Sequence, residues 1–509
     1  MSRLFKSVGS SFLFYDFETI GLSHVFDQVV RAAFIRTTPD FKELERHEIS
    51  VKLNPDVIPS PGALVVNRLS MDELQRGENE YDAMKKIHGL VNKPGTISVG
   101  YNSLGFDDLF LRFGFYRNLL QPYSHQSKNG CGRMDIYPMT VAYSLLRNNH
   151  LKWMMKNDVP SFKLESMNQA NQLFAGRAHD AMSDVETTLA LAKRLREDQS
   201  TWDLCTQFFD KSNDKKRINE CPSTLAVGGI EYKIGLMINH RSKGRTITPV
   251  LLLGESHASS NQTIFLRMDQ VLKDDIETTK TMRKKMGESP FFMPIDFKNF
   301  DLLPSDMKNE FFEAGEWLQK NPTALTKMQA HFLNHQYPKQ DCDVSAQLYQ
   351  LSFPTPAEEM LFSRFHAAKL EDKPAIAAQF PRVEHRHLTI RLFGRHHPNW
   401  LSSKNDIKIF DRHMRSVFSE EGMKSPVDYK GEGQFSVSDA DIELQKLTRK
   451  TLDPEQQKII ESYTSWLDVS KKQAKEVTSF IAPELFKAPE KVRQDKVIVA
   501  DEFTVIPAL

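Results

Sequence analysis

The feature that most constrains this chain is an apolar run that ends in acid. Phe12-Leu13-Phe14-Tyr15 suits a strand buried within a sheet, and it passes directly into Asp16-Phe17-Glu18-Thr19-Ile20-Gly21. Alternate residues of a strand share a face, so Asp16 and Glu18 project together while Phe17 points to the other side. Two carboxylates on one face of an apolar strand repel each other and resist burial unless a cation lies between them. The pair alone is equally compatible with solvated acids at a strand end.

Two further acid clusters follow. Thr96-Ile97-Ser98-Val99 reads as a strand after the turn Lys93-Pro94-Gly95, and it leads into Gly100 to Asp108. From Phe106 the spacing of Phe106, Phe110 and Phe113 predicts a helix with Asp107 and Asp108 in its first turn, where acids also serve as caps and dipole partners. The third cluster, His179-Asp180-Ala181-Met182-Ser183-Asp184, opens a helix continued by Val185, Leu189, Ala192 and Leu195. Asp184 shares a face with Ala181, Thr188 and Leu191, so it is drawn toward the interior and needs a cation or hydrogen-bond donors. His179 precedes that helix, a place where a lone histidine is ordinarily a surface residue.

The length of 509 residues predicts about three domains. Hydrophobic residues make up 40% and charged residues 26%, values that exclude a disordered or fibrous chain. No apolar run approaches the roughly 20 residues that cross a bilayer, and the N-terminus lacks a cleavable signal pattern, so a cytoplasmic location is expected. Cys131, Cys205, Cys221 and Cys342 show no C-x-x-C spacing, which argues against both a disulfide framework and a structural zinc site. Lys+Arg 67 against Asp+Glu 66 leaves a formal charge of +1, so any surface for a polyanion is local.

The texture of the chain changes twice. Up to about 200, strand-like runs (Phe12 to Tyr15, Val29 to Ile35, Thr96 to Val99) alternate with helical spacing over Ser70 to Val91, interrupted near Gly77 and Asn79. This is the pattern of an α/β unit with a mixed or parallel sheet. Residues 222 to 270 are rich in β-branched and turn residues and predict hairpins, with Ser256 to Asn261 as a surface loop. From Glu358 onward, Glu358 to Lys369 and Asp441 to Lys487 carry helical periodicity.

In order, spacing and flanking residues, D-x-E-T-x-G at Asp16, N-x-x-x-F-D at Asn102 and H-D-A-x-x-D at His179 resemble the DEDD exonucleases, in the DEDDh subgroup with a histidine five residues before the last aspartate. Phe12 to Gly21, Pro59 to Ala63, Arg76 to Glu80, Gly100 to Asp108, Phe115 to Asn118, Val159 to Glu165 and Asp343 to Tyr349 look like bacterial exonuclease I. The resemblance implies a ribonuclease-H-like DEDDh 3′→5′ exonuclease domain over 1–201, a small Src-homology-like β-barrel over 202–355 and an all-α C-terminal domain over 356–509. It implies processive degradation of single-stranded DNA to 5′-mononucleotides in DNA repair and recombination, by a monomer. Asp16, Glu18 and Asp184, with Asp107, would hold two Mg²⁺ ions, Mn²⁺ substituting, one to activate water and one to stabilise the leaving 3′-oxygen. His179 would accept the water's proton. Glu18, Thr19, Ala63, Asn102, Phe106 and Lys163 would contact the strand. Lys163 stands where the family has arginine, keeping the charge and losing the bidentate fork. The family also binds the acidic C-terminal tail of single-stranded-DNA-binding protein, and it is a bacterial cytoplasmic enzyme, associated with the nucleoid when on DNA.

A sequence-independent strand binder needs cations beside the backbone and aromatic faces under the bases. His240 to Arg245, Arg283-Lys284-Lys285, and Arg382 to His397 with Phe393 and Trp400 nearby are the candidate basic segments, although such runs are commonly solvated faces. His385, His387, His396 and His397 lack clustered acids or cysteines and read as helix surface or polar packing. Two alternatives keep part of this reading: RNA or short oligonucleotides as substrate, and a catalytically silent scaffold. Relatives with the first role are mostly short single-domain chains, and silent ones usually lose a metal acid, whereas all four acids and the histidine are present here.

Overall fold

The computed structural model describes residues 10–480 except 178, 240–245, 260, 273–274, 337, 402, 419–424 and 477–479. The candidate basic segment His240 to Arg245 and the end of the helix expected to reach Lys487 therefore lie outside the described residues.

The first unit is built on one mixed sheet. Its strands are β1 (Ser11–Thr19), β2 (Val29–Thr37), β3 (Glu43–Ser50), β4 (Thr96–Gly100) and β5 (Gly132–Asp135), in the order β3-β2-β1-β4-β5. β1 is antiparallel to β2 and parallel to β4, and β4 is parallel to β5. Between the strands run α1 (Pro61–Asn67), α2 (Met71–Leu74), α3 (Glu80–Val91), α4 (Asp107–Arg117) and α5 (Ile136–Leu146). A short ladder of β6 (Met155–Lys156) and β7 (Val159–Pro160) precedes α6 (Leu164–Asn171) and α7 (Ala181–Arg196).

Alternation along β1 gives the sheet two faces. Leu13, Tyr15 and Phe17 pack against Ala83, Met84 and Ile87 of α3 and Phe110 and Phe115 of α4. Phe12 and Phe14 pack against Met139 of α5 and Val185 and Leu189 of α7. The strands expected over Phe12 to Tyr15, Val29 to Ile35 and Thr96 to Val99 are present, and so is the break between α2 and α3. β3 and β5 were not expected, because Glu-Leu-Glu-Arg-His-Glu-Ile-Ser and Gly-Arg-Met-Asp carry too few apolar residues to announce a strand.

After α8 (Gln199–Gln207) and α9 (Lys211–Asn219) comes an antiparallel sheet of β8 (Thr224–Val227), β9 (Ile230–Ile238), β10 (Ile247–Glu255), β11 (Gln262–Arg267), β12 (Thr281–Lys285) and β13 (Phe291–Pro294). Its order is β12-β11-β10-β9-β13, with β8 also on β9. Among the described residues β12 and β13 do not pair with each other, so the sheet is open where a closed barrel was expected. The chain then turns helical earlier than the sequence reading placed it, in α10 (Phe297–Phe300), α11 (Ser305–Lys320) and α12 (Pro322–Leu333), with α11 and α12 packed on this sheet.

The third region comprises α13 (Pro356–Ala367), α14 (Lys373–Ala377), α15 (Val383–His396), α16 (Lys404–Phe418), α17 (Val437–Leu447) and α18 (Pro454–Glu476). Its core is continuous with the first unit: Ile20, Leu64, Leu74 and Phe113 belong to the same buried cluster as Phe365, Leu388, Phe410 and Tyr463.

Buried ion pairs join the regions. Asp108 is wholly buried between Arg112 (2.5 Å), Arg133 (2.6 Å) and His125 (2.9 Å), and Arg133 reaches Glu288 of the second region at 2.8 Å. Asp56 bonds Arg395 and His413 of the third, each at 2.7 Å. These cations hold the Asp108 and Asp56 carboxyls well below the usual carboxylate range despite burial. Several cations of the described candidate segments are consumed in the same way. Lys284 is buried on Asp214, Arg382 holds Glu358, Arg391 holds Asp343, and Arg386 donates to the Phe380 and Pro381 carbonyls. Phe393 is buried and Trp400 packs on it. These residues are packing, not an open strand surface. All four cysteines are free and buried.

Asp108→Asn should lower thermal stability, by about 3 kcal/mol or more, since it strands buried cations. Asp107→Asn, one residue away, should not. Equal melting temperatures for the two variants would refute the assignment of Asp108 as the compensated acid.

Candidate active site

The even-numbered face of β1 continues past Phe14 into Asp16 and Glu18, so both carboxylates face α7. β1 pairs with β4 only as far as Phe14 opposite Val99, while its pairing with β2 runs to Thr19. The two acids therefore lie beyond the carboxyl end of β4, where an open sheet leaves room for a ligand. α7 supplies Asp184 from its first turn, held there because Asp180 caps the helix by accepting from the Ser183 backbone N–H at 3.1 Å. One carboxylate oxygen each from Asp16, Glu18 and Asp184 lie within 4.8 Å of one another.

Asp107 enters from the other layer, at the first turn of α4, and the backbone of Phe17 hydrogen-bonds its carboxylate. The turn leading to it is tight. A Cβ on Gly100 would lie 2.5 Å from the Ser103 Cβ and 3.1 Å from the Tyr15 carbonyl, so only glycine fits there. Asn102 adopts φ 61°, and Asp135, the N-cap of α5, clamps the turn by accepting from the backbone N–H groups of Asn102 (2.8 Å) and Leu104 (3.1 Å). Sequence reasoning missed Asp135; its signal was its position as N-cap of a helix opened by Tyr137 and Pro138.

A cleft of about 930 Å³ gathers Asp16, Glu18, Asp107, His179 and Asp184, and also Thr19, Ala63, Asn102 and Phe106. Asn67, equally unforeseen, fixes Thr19 by donating to its carbonyl at 2.9 Å, and Ala63 sits on the α1 turn capped by Ser60. Lys163 is exposed at the start of α6 and does not line the cleft. The opposite wall comes from the third region, through Glu432, Phe435, Asp439 and Glu443, and nothing near the motifs announces it.

No ion pair among the described residues neutralises the four acids, in contrast to Asp108. Burial, with the surrounding acids, raises Glu18 to about 8 and Asp184 to about 6, and pushes Asp16 and Asp107 well above the carboxylate range. His179 is half-exposed, at φ 58°, with its Nε2 at 2.7 Å from Glu165 Oε1 on α6, and its backbone hydrogen-bonds the Asp184 carboxylate. His179 thus links the two sides of the cleft, its ring to Glu165 of α6 and its backbone to Asp184 of α7.

A family model described as exonuclease matches residues 13–192. The exodeoxyribonuclease I of Haemophilus influenzae is 32% identical over 243 residues, 47% of this chain and 51% of that one. That of Buchnera aphidicola subsp. Acyrthosiphon pisum is 30% identical over 295 residues, 57% of this chain and 68% of that one. The chain belongs to the exodeoxyribonuclease I family. Its aligned region spans about half the length of the H. influenzae relative, 51%. The crystal structure of E. coli exonuclease I in complex with a dA16 oligonucleotide superposes with a TM-score of 0.77 at 23% identity, covering 91% of this chain and 100% of that one. That likeness is one of fold, and it places the ribonuclease-H-like layer in its expected position at the N-terminal end.

The donor set of this exonuclease-family site fits a hard divalent cation: carboxylate oxygens only, clustered, and raised in pKa by burial and by one another. A carboxylate whose pKa is higher folded than unfolded binds extra protons in the native state, so its contribution to stability falls as pH rises. In the cation-free protein that loss should run from about pH 4 to about pH 8, between the ordinary values of 4.5 and 3.8 and the raised values of about 8 for Glu18 and about 6 for Asp184. Thermal unfolding in EDTA should show a smaller decline from pH 5 to pH 8 for Glu18→Gln than for the parent, and millimolar Mg²⁺ should restore the parent at pH 8. Parallel pH profiles for parent and variant would contradict this electrostatic assignment.

Proposed function

We propose that this protein is a metal-dependent 3′→5′ exodeoxyribonuclease that removes 5′-mononucleotides from single-stranded DNA in DNA repair and recombination. The observation that carries this reading is the cluster of uncompensated carboxylates at the end of β1, in a chain whose family is named for that activity. Two Mg²⁺ ions, with Mn²⁺ as substitute, are the cofactor this donor set suits best. Asp16, Glu18 and Asp184 would hold them, with Asp107 completing the set. When bound they supply positive charge to the departing 3′-oxygen and ease the deprotonation of water.

The remaining work falls to the chain. Water adds to phosphorus as the P–O3′ bond breaks. With Nε2–H of His179 donating to Glu165, the imidazole lone pair lies on Nδ1, and that atom takes the water's proton. Glu18, Thr19, Ala63, Asn102 and Phe106 position the terminal nucleotide; Asp135 and Asn67 hold two of them in place. Lys163 joins the contact from the rim by reaching a phosphate as a point charge.

The division of labour follows the chain: the exonuclease unit over 1–201, a small Src-homology-like β-rich unit over 202–355, and a helical unit over 356–509. The protein acts as a monomer in the bacterial cytoplasm, at the nucleoid when on DNA. No helix among the described residues is long and apolar enough to cross a membrane. The acidic C-terminal tail of single-stranded-DNA-binding protein is its protein partner, a reading supported by a related solved structure that pairs SSB with exonuclease I.

Digestion of end-labelled single-stranded DNA should require Mg²⁺ or Mn²⁺ and stop in excess EDTA; persistence in EDTA would overturn the metal assignment. Asp184→Asn should reduce turnover at least about a thousandfold by removing a ligand oxygen. His179→Ala should lose about a hundred- to ten-thousandfold and be partly rescued by raised pH, while strand affinity holds. An undiminished single-turnover rate in His179→Ala would mean that another group is the base.

A further inference from the structure

The third region grips α1 at both ends. Helix α1 has seven residues, too few to hold a shape by its own hydrogen bonds, so its place is set by what it packs on, and that is α17 and α18. At its entry, the fully buried Tyr463 of α18 donates its hydroxyl to the Pro59 carbonyl at 2.7 Å. At its exit, Arg68 is the C-cap, with a left-handed backbone (φ 54°) that glycine or asparagine would adopt at less cost. Its guanidinium forks onto Asp453 at 3.2 and 2.6 Å and reaches Glu455 at 2.6 Å, the two acids that open α18. Between these grips Glu443 of α17 lies close over Gly62.

What α1 holds in turn is the end of β1. The pairing of β1 with β4 stops at Phe14, and its pairing with β2 shifts register between Glu18 and Thr19, so the sheet's own bonds thin out where the acids stand. The segment around α1 replaces them. Ser60 donates its backbone N–H to the Ile20 carbonyl at 2.8 Å, and Asn67 donates its side-chain N–H to the Thr19 carbonyl at 2.9 Å. The two residues that follow Glu18 are therefore fixed from α1, and α1 is fixed from the third region.

We propose that Tyr463 and Arg68 are positioning residues for the hydrolysis, through which α18 of the third region sets the placement of Glu18. This rests on the exodeoxyribonuclease reading above and adds that the reacting geometry is completed from outside the exonuclease unit. The path is short: the Tyr463 hydroxyl, the Pro59 carbonyl, Ser60 and Asn67 on either side of α1, then Ile20 and Thr19 beside Glu18. A displacement of about 1 Å at a reacting group costs about a hundredfold in rate, so a loosened bond on this path is read in turnover before it is read in strand binding. Neither residue touches the nucleotide; both act through α1.

The test separates rate from binding and from stability. Single-turnover cleavage of an oligothymidylate about five nucleotides long is measured with the full chain at saturating Mg²⁺, alongside melting curves and equilibrium binding of an oligothymidylate about 20 nucleotides long in EDTA. Tyr463→Phe keeps the buried ring and removes one hydrogen bond; it should lower the single-turnover rate about tenfold and leave strand affinity within about twofold of the parent. Arg68→Ala should lower the rate about threefold or more, and Arg68→Lys should recover part of that loss. The control is Tyr143→Phe, which removes an equally buried hydroxyl from the Leu195 carbonyl, at the far end of α7 from Asp184. It should lower the melting temperature as Tyr463→Phe does and keep the parent's rate. If Tyr463→Phe melts too low to assay, Arg68→Ala carries the test. Parental rates in both Tyr463→Phe and Arg68→Ala overturn the positioning role, and so does a loss confined to strand affinity or a loss of rate in Tyr143→Phe equal to that in Tyr463→Phe. A parent that digests no single strand removes the functional reading itself.

Discussion

Four carboxylates that repel one another are packed at one end of a buried strand, and the rest of the fold is arranged around leaving them unneutralised. Several other buried acids receive cations: Asp108 has Arg112 and Arg133, Glu80 has Arg117, Asp56 has Arg395, Asp343 has Arg391, while Asp135 is held by the backbone N–H groups of Asn102 and Leu104. Asp107 and Asp108 are adjacent, and the helical rotation between them sends one carboxylate to the cleft and the other into a cage of cations. Four clustered acids without an ion pair among the described residues store electrostatic cost where a divalent cation would relieve it.

Period explains why the core of the site was legible in the chain. Asp16 and Glu18 are two apart on a strand whose apolar neighbours declare its direction, and Asp184 lies on the inward face of a helix with clear spacing; local pattern dictates all three. What was hidden depends on long-range closure. Asp108 could not be told from Asp107 because its partners, His125 and Arg133, lie 17 and 25 residues on. Glu432, Asp439 and Glu443 reach the cleft only because α1 and α2 share a core with the third region. β3 was hidden for the opposite reason: it is an edge strand with a mostly exposed sequence, held to β2 by backbone pairing that side chains do not advertise. The helices between 297 and 333 were legible and overlooked, since Met307, Phe311, Ala314 and Leu318 fall at helical spacing on one face.

The basic runs show the limit of reading charge from sequence. Arg382, Arg386, Arg391 and Arg395 recur at four- and five-residue intervals along α15, a spacing that suggests a cationic face for phosphates. Instead they hold Glu358, Asp343, Asp56 and backbone carbonyls, cementing the third region to itself and to the first. Arginine serves this role because its planar fork satisfies two acceptors at once. A run of cations becomes a surface only when the acids that could absorb it are absent from the facing elements, and facing elements are a property of the fold.

That consumption of arginine bears on how a polyanion would be held. A protein relying on phosphate contacts loses affinity steeply with salt, in proportion to the phosphates neutralised. Here, among the described residues, cations of the third region are largely paired, and the cleft wall from that region is acidic through Glu432, Asp439 and Glu443. Those acids would disfavour a second phosphate backbone in the cleft, in keeping with the single-strand reading proposed above. The paired acids fix the walls of the cleft, and the clustered ones line it as the donor set for the cation proposed above.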